Sequence, residues 1–222
     1  MKTFKQYNES IKDLLQPKSN DEIIKALEGL SDSDKIKQII INQLDYDLLP
    51  ENLVVDGDLF CNNKRLTSLP DNLVVNGYLN CSFNELTILP KNLTVNGDLD
   101  CRYNKLTSLP ENLVVKGYLN CSNNQLTSLP NNLTVNGSLY CSFNELTSLP
   151  ENLVVNGDLY CYDNLLTSLP DNLIVNGFLN CMFNQLNSLP ENLVVEGNLY
   201  CGNNPLPKNI EKPKGVKGKL IL

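Results

Sequence analysis

The chain has no histidine among its 222 residues. Histidine titrates near neutral pH, and it is a frequent general base and the commonest metal ligand. Its absence removes the residue that many general-base and metal-binding sites use. The sequence also has no glycine-rich phosphate-binding loop and no nucleophile-elbow motif. We therefore predict no catalytic, cofactor-binding or metal-binding residues and no enzymatic activity.

Basic residues and long apolar runs are scarce as well. Eighteen Lys and Arg stand against 25 Asp and Glu, which gives a net charge of −7. This balance favours solubility and argues against a nucleic-acid partner. No apolar run reaches membrane-spanning length, and the first residues are too polar for a secretory signal. We predict a cytoplasmic protein with no membrane partner, and leave open export by a route that needs no cleaved signal.

The dominant positive feature of the sequence is a repeat of twenty residues. One copy, from Leu69 to Ile88, reads LPDNLVVNGYLNCSFNELTI, and eight copies run without insertion over 49–208. A fixed period of this length predicts a solenoid, in which each repeat contacts only its neighbours. The eight cysteines mark the period at Cys61, Cys81, Cys101, Cys121, Cys141, Cys161, Cys181 and Cys201.

The segment L-x-C-x-x-N-x-L resembles the leucine-rich-repeat signature L-x-L-x-x-N-x-L. With L-T-S-L-P after it and a period of twenty, the chain resembles the short bacterial type, found in secreted effectors and phage-encoded proteins. The resemblance implies a horseshoe-shaped leucine-rich-repeat solenoid with a parallel β-sheet on one face and extended or turn segments on the other. The chain departs from the family pattern because Cys replaces the second Leu or Val in every copy.

The flanking segments look like end caps. Over 1–48, apolar residues from Phe4 to Leu15 fall at helical spacing, and Ser19 with Glu22 resembles a helix capping box. We expect these helices to cover the exposed edge of the first repeat. The predicted organisation is an α-helical N-terminal cap (1–48), eight repeats (49–208), and a degenerate ninth strand that forms a C-terminal cap (209–222).

Alternating apolar residues within each repeat predict the strands. The pattern in the copy from Leu69 to Ile88 favours a main strand near 78–82 and a minor one near 73–75. The Asn76-Gly77 pair between them predicts a corner with positive φ. Successive strands then stack in parallel about 4.8 Å apart.

Two columns of asparagine and one of cysteine have structural interpretations. We expect the column that contains Asn84 to hydrogen-bond buried amides at one corner, and the column from Asn52 to Asn192 to do the same at the other. The cysteines lie too far apart in sequence for a Cys-x2-Cys metal site, and in-register strands hold the thiols too far apart for disulfides. We predict buried, unpaired thiols, as suits a reducing compartment.

The positions between the inward-facing residues carry the functional hypothesis. We call them the 78, 80, 82 and 83 columns, each meaning that position and its equivalents at twenty-residue steps, and we expect all four to face solvent. All twelve aromatic residues of the repeats lie in these columns. Seven of the eight pairs in the 78 and 80 columns combine one aromatic with one small polar residue. Crowding of neighbouring rings explains such alternation, and so does a binding face; the two are compatible.

These columns also hold five aspartates against Arg102 alone, a net charge of −4. We predict a non-enzymatic module that binds a basic or polar protein through this face, acts as a monomer, and has a partner that the sequence does not identify. A carbohydrate-binding surface and a structural spacer are the alternatives. The candidate binding residues are Phe60, Tyr78, Phe83, Asp98, Asp100, Arg102, Tyr103, Tyr118, Tyr140, Phe143, Asp158, Tyr160, Tyr162, Phe178, Phe183 and Tyr200.

Overall fold

The computed structural model describes residues 51–222. The predicted helical cap over 1–48 lies outside them. Within 51–222 the chain consists of two-residue parallel strands joined by turns, with no helix. No segment of this part is a helix long and apolar enough to cross a bilayer.

The repeats build two parallel sheets, and the two strands of each repeat are separated by a turn of three residues. The predicted main strand is confirmed. The minor strand predicted near 73–75 is confirmed as well, and its copies in successive repeats form a second sheet. Its eight strands are β1 (Val54–Val55), β3 (Val74–Val75), β5 (Thr94–Val95), β7 (Val114–Val115), β9 (Thr134–Val135), β11 (Val154–Val155), β13 (Ile174–Val175) and β15 (Val194–Val195).

The main sheet has nine strands and carries the candidate binding columns. They are β2 (Leu59–Phe60), β4 (Leu79–Asn80), β6 (Leu99–Asp100), β8 (Leu119–Asn120), β10 (Leu139–Tyr140), β12 (Leu159–Tyr160), β14 (Leu179–Asn180), β16 (Leu199–Tyr200) and β17 (Leu220–Ile221). The first eight pair in twenty-residue register, so that Leu139 lies beside Leu159. The last strand, β17, pairs with β16 one residue out of that register, with Leu220 beside Leu199.

The core between the two sheets consists of leucine, valine and cysteine. Alternation along each strand turns these side chains inward, and every repeat adds one layer of them. All eight cysteines are buried in this core, and none forms a disulfide. The predicted cysteine column is therefore confirmed as part of the hydrophobic interior.

The asparagine column that contains Asn84 hydrogen-bonds the corner after the main sheet, as predicted. In the central repeat, Asn144 Nδ2 donates to the carbonyl oxygens of Cys121 and Cys141, each at 3.1 Å. Its Oδ1 accepts from the backbone N–H of Leu126 at 3.0 Å. One side chain thus links two adjacent repeats through buried backbone groups.

The second asparagine column differs from its prediction, because it is solvent-exposed and serves no buried amide. Asn72 Nδ2 donates to Asn52 Oδ1 at 2.9 Å, and Asn92 Nδ2 donates to Asn72 Oδ1 at 2.8 Å. These three residues have φ between 56° and 62°. Asparagine suits these positions because it tolerates the left-handed conformation better than most residues do.

The sequence analysis gave the wrong reason for the glycine column, which consists of Gly57 and its equivalents at twenty-residue steps. Positive φ was predicted for the Asn-Gly corner, but in the described repeats only Gly57 shows it among the glycines, at 107°. A Cβ on Gly97 would lie 2.7 Å from the carbonyl carbon of Gly77. Glycine is required here because the backbones of successive repeats approach too closely for a side chain.

Candidate functional site

A ribbon of aromatic rings runs along the main sheet across the 78 and 80 columns. Ring centroids are 5.5 Å apart for Phe60 and Tyr78, 6.2 Å for Tyr78 and Tyr118, and 6.1 Å for Tyr118 and Tyr140. Tyr140 and Tyr160 stack with centroids 5.0 Å apart and planes 8° from parallel. Apart from the exposed Phe60, these rings are only partly exposed, so they stabilise the sheet as well as covering it.

The aspartates of the 78 column support the next repeat. Asp98 Oδ1 accepts from the backbone N–H of Tyr118 at 2.8 Å, and Asp158 Oδ1 accepts from the N–H of Phe178 at 2.7 Å. Asp58 does the same for Tyr78. Sequence reasoning missed this role. The signal was present, because every aromatic residue of the 78 column follows an aspartate exactly one repeat earlier.

The polar residues of the 80 column also have local partners. Asn80 Oδ1 accepts from Ser82 Oγ at 2.6 Å and from the Ser82 backbone N–H at 3.2 Å. Asn120 repeats the backbone contact with Ser122. The alternation of aromatic and polar residues therefore reflects hydrogen bonding as well as steric crowding.

The serines of the 82 column are buried, although the alternation predicted exposure. Ser82 and Ser142 are each only 2% exposed. Ser142 Oγ has no hydrogen-bond partner in the described structure. The reason lies two residues earlier, where Tyr140 occupies the position at which Asn80 provides an acceptor for Ser82.

Ser142 and Ser82 form a matched pair for a stability test. We expect Ser142→Ala to leave stability unchanged or raise it by up to about 1 kcal/mol, because it removes a buried hydroxyl that has no partner. Ser82→Ala loses the short bond from Ser82 Oγ and keeps only the longer backbone bond to Asn80 Oδ1, so it is expected to cost about 1 kcal/mol. Urea denaturation of both variants measures the difference, and equal losses would contradict the interpretation.

Asp100 is the one aspartate of the face that is buried, at 4% exposure, whereas the sequence analysis expected it in solvent. Its Oδ2 lies 3.2 Å from Arg102 Nε, and Tyr78 Oη donates to the same oxygen at 3.5 Å. Burial raises the pKa of Asp100, and the hydrogen bond from the Arg102 backbone and the Arg102 charge oppose that shift. Arg102 is thus the counter-ion of a buried carboxylate.

The Arg102 guanidinium also lies over an aromatic ring. Its central carbon is 5.8 Å from the centroid of Phe83, which stacks on Tyr103 with centroids 4.5 Å apart. A guanidinium between a carboxylate and an aromatic face gains from both charge and cation–π attraction.

The 83 column places four aromatic side chains in the left-handed backbone region. Phe83, Tyr103, Phe143 and Phe183 have φ of 52° to 54°, and their exposures range from 43% to 52%. The other members of the column are Asn63, Asn123, Asp163 and Asn203, with φ of 55° or 56°. Asparagine and aspartate commonly adopt this conformation, whereas a bulky aromatic residue there is a genuine outlier.

The remaining candidate residues lie at the same surface. Tyr162, in the 82 column, meets Phe143 edge to face with centroids 5.0 Å apart. Phe178 is exposed, and the Tyr200 hydroxyl accepts from Asn198 Nδ2 at 3.3 Å. The structure therefore brings the predicted residues onto one sheet face and its adjoining corner.

The cysteines do not contribute to this surface. Burial raises the pKa of every one of the eight thiols, for example to about 12 at Cys61 and Cys121. Reactive cysteines need the opposite shift. Within residues 51–222, no group of three Cys, Asp or Glu side chains is arranged to hold a metal ion.

Comparison with known proteins identifies the fold. No protein-family model and no curated protein matches the chain. Among solved structures, a Shigella effector leucine-rich-repeat domain aligns with a TM-score of 0.53 and 24% identity, over 93% of this chain and 88% of that domain. YopM from Yersinia enterocolitica WA-314 aligns over 98% of this chain with a TM-score of 0.45 and 23% identity, and this chain spans 55% of its length.

The Shigella domain supports the fold, and the sequence repeat supports the same conclusion independently. In this chain the coils of twenty residues stack in parallel, and an asparagine corner follows the main strand. The resemblance drawn from the L-x-C-x-x-N-x-L segment is confirmed at the level of fold. The chain has the fold of a leucine-rich-repeat solenoid, in which a cysteine column replaces one of the apolar columns.

Proposed function

We propose that the chain is a protein-binding module that uses the main-sheet face together with the aromatic residues of the 83 column. The observation that carries this proposal is the left-handed backbone of Phe83, Tyr103, Phe143 and Phe183. Strained residues of this kind persist where function rather than stability selects them. The repeats contribute binding surface, and no feature of the described residues supports catalysis.

The aromatic members of the 83 column can be compared with its asparagine and aspartate members, which have nearly the same φ. Four repeats place asparagine or aspartate at the same φ, where these residues fit with little strain. An aromatic residue in this conformation costs about 1 kcal/mol or more in backbone strain, and its ring stays largely in solvent. Folding alone therefore favours asparagine in every repeat, so the four aromatic residues need another explanation.

The charge of the face indicates the chemistry of the partner. Among residues 51–222 the columns contain one cation, Arg102, and it is paired with the buried Asp100. The other four aspartates, Asp58, Asp98, Asp158 and Asp163, lie at the surface. A basic or polar protein surface complements this face, and a nucleic-acid backbone does not.

The two alternatives have weaker support. Carbohydrate recognition needs polar side chains that are free to bind hydroxyl groups, whereas the Asn80, Asp98 and Asp158 side chains already accept hydrogen bonds within the chain. A structural spacer has no use for aromatic residues in the left-handed region. The protein-binding proposal accounts for both observations, since exposed rings at a corner are typical anchors of protein interfaces.

Partner capture with a corner variant tests the proposal. The variant carries Phe83→Asn, Phe143→Asn and Phe183→Asn, the residue that other repeats hold in this column. The control carries Val114→Thr and Val154→Thr on the second sheet, where Thr94 and Thr134 occupy the equivalent positions. We expect the corner variant to lose at least about tenfold in retention of a specific partner, because interface aromatic anchors often contribute 2 kcal/mol or more. The control should match the wild type.

The same proteins separate the alternatives. If the corner variant retains every specifically captured protein, the protein-binding proposal is wrong. A glycan-array signal that is lost in the corner variant, with no protein captured by the wild type, supports carbohydrate recognition instead. Absence of either signal in the wild type supports the spacer.

A further inference from the structure

We propose that Tyr140, Tyr160, Tyr162 and Asp158 form a binding site for an arginine side chain of the partner protein. This inference rests on the proposed function and specifies the chemistry at one part of the same face. The site lies in the fifth and sixth repeats, on strands β10 and β12 and the residues just before and after β12.

Asp158, Tyr160 and Tyr162 occupy alternate positions along strand β12 and its two ends, so their side chains project from the same face of the main sheet. The Tyr160 ring stacks on Tyr140 at 5.0 Å. Partial burial is the largest cause that raises the pKa of the Tyr160 hydroxyl. The neighbouring charge of Asp158 raises this pKa further, and so do the nearby Tyr140, Tyr200 and Tyr162. One carboxylate therefore lies within a cluster of phenol rings, an arrangement that attracts a cation by charge and by ring quadrupole.

The chain already shows the preferred occupant at an equivalent surface. In the second and third repeats, Arg102 pairs with Asp100 at 3.2 Å and lies over Phe83 at 5.8 Å. There a guanidinium fills the space between carboxylate and ring. The fifth and sixth repeats offer rings and a carboxylate of the same kind but have no basic residue in any of the four columns.

No intramolecular cation takes the place of Arg102 in this second cluster. The ion pairs found within residues 51–222 are Arg102 with Asp100, Lys105 with Glu85 and Lys217 with Glu196. Neither Asp158 nor the neighbouring Asp163 is among them. Asp158 uses Oδ1 to accept from the Phe178 N–H, and its charge remains available to an incoming cation.

Arginine fits this cluster better than lysine does. Its guanidinium is planar and weakly hydrated, so it stacks on a ring while its N–H groups reach a carboxylate. The lysine ammonium is compact and strongly hydrated, which makes desolvation between phenol rings more costly. The site should therefore discriminate between the two cations, which simple charge attraction does not.

The test uses a labelled nine-residue glycine–serine peptide that carries three arginines, measured by fluorescence anisotropy against the full chain. Two further peptides replace the arginines with lysine or with uncharged citrulline. The key variant is Asp158→Asn, which removes the charge but keeps an oxygen for the Phe178 N–H. Asp58→Asn is the matched control, because Asp58 makes the same bond to the Tyr78 N–H at 2.8 Å and lies five repeats, roughly 24 Å, away.

We expect the arginine peptide to bind at least about threefold more tightly than the lysine peptide, with no binding of the citrulline peptide. Asp158→Asn and Tyr160→Ala should each weaken the arginine peptide about threefold to tenfold, and Asp58→Asn less than twofold. Equal affinity for lysine and arginine, equal effects of the two aspartate variants, or no binding at all would each overturn the site. If the peptides fail but the corner variant still loses its protein partner, the arginine site is wrong and the proposed function stands.

Discussion

Raising the pH from 7.5 to 9.5 should lower the free energy of unfolding by about 11 kcal/mol, because all eight thiols are buried. In the unfolded chain a cysteine ionises near pH 8.5, whereas burial keeps each folded thiol neutral well above that pH. Between these pKa values the unfolded state binds fewer protons than the folded state does. Stability is therefore fully present below about pH 8.5 and is lost as the pH rises.

The magnitude follows from the number of thiols. One pH unit above its unfolded pKa, each buried thiol costs about 1.4 kcal/mol of stability, and the chain has eight cysteines. The total is comparable with the entire stability of a typical domain, so the protein should unfold at a mildly alkaline pH.

Urea denaturation at pH 7.5, 8.5 and 9.5, with a reductant present throughout, measures this dependence. A variant with Cys121→Ala and Cys141→Ala is the control, and its loss between pH 7.5 and 9.5 should be smaller by about 2.8 kcal/mol. A free energy of unfolding that stays constant to pH 9.5 would show that the thiols are not buried as the structure has them.

Asn144→Ala should lower the free energy of unfolding by about 4 kcal/mol. The side chain satisfies the carbonyls of Cys121 and Cys141 and the N–H of Leu126, all in the buried corner. Each buried backbone group left without a partner costs about 1 to 3 kcal/mol. Asn144→Asp should cost as much or more, because it loses both donated bonds and buries a charge.

Asn172→Ala provides the control for this prediction. Asn172 belongs to the exposed asparagine column, where its amide donates only to Asn152 at 3.3 Å. We expect a loss below about 0.5 kcal/mol, as for most exposed positions. Thermal or urea unfolding of both variants measures the contrast, and similar losses at Asn144 and Asn172 would contradict the assigned roles of the two columns.

Periodicity allowed much of the fold to be predicted. The twenty-residue step and the alternating apolar residues led to parallel strands in register, a leucine, valine and cysteine core, and an asparagine corner at Asn84 and its equivalents. These features depend on contacts between identical positions of adjacent repeats, and such contacts are visible in a sequence once its period is known. The second sheet was less visible, because two-residue strands leave only a weak alternation.

The errors arose where one residue type serves two physical purposes. Glycine was assigned positive φ at the Asn-Gly corner, whereas Gly97 and its equivalents meet a need for close backbone approach. Asp100 and Ser82 were placed in solvent because they alternate with core residues, but neighbouring side chains cover them. Alternation along a strand predicts the side of the sheet from which a side chain projects. Whether that side chain is exposed to solvent depends on how neighbouring side chains pack over it.

The conformation of the 83 column was beyond sequence reasoning for a related reason. Asn63, Asn123, Asp163 and Asn203 in this column are residues that favour the left-handed region, and they were a usable signal. The aromatic members of the column obscured this signal, because phenylalanine and tyrosine favour an extended backbone. The same conflict between local preference and observed conformation is what supports a binding role for these positions.

The free energy of unfolding of Phe183→Asn tests this account most directly. Phe183 has φ of 52°, is 52% exposed and has no aromatic partner among the described residues, so its ring contributes little to packing. We predict that the variant is as stable as the wild type or more stable by up to about 1 kcal/mol, because asparagine relieves the backbone strain. A loss of more than about 1 kcal/mol would show that the ring is kept for stability, and would contradict the claim that the 83 column is maintained for binding.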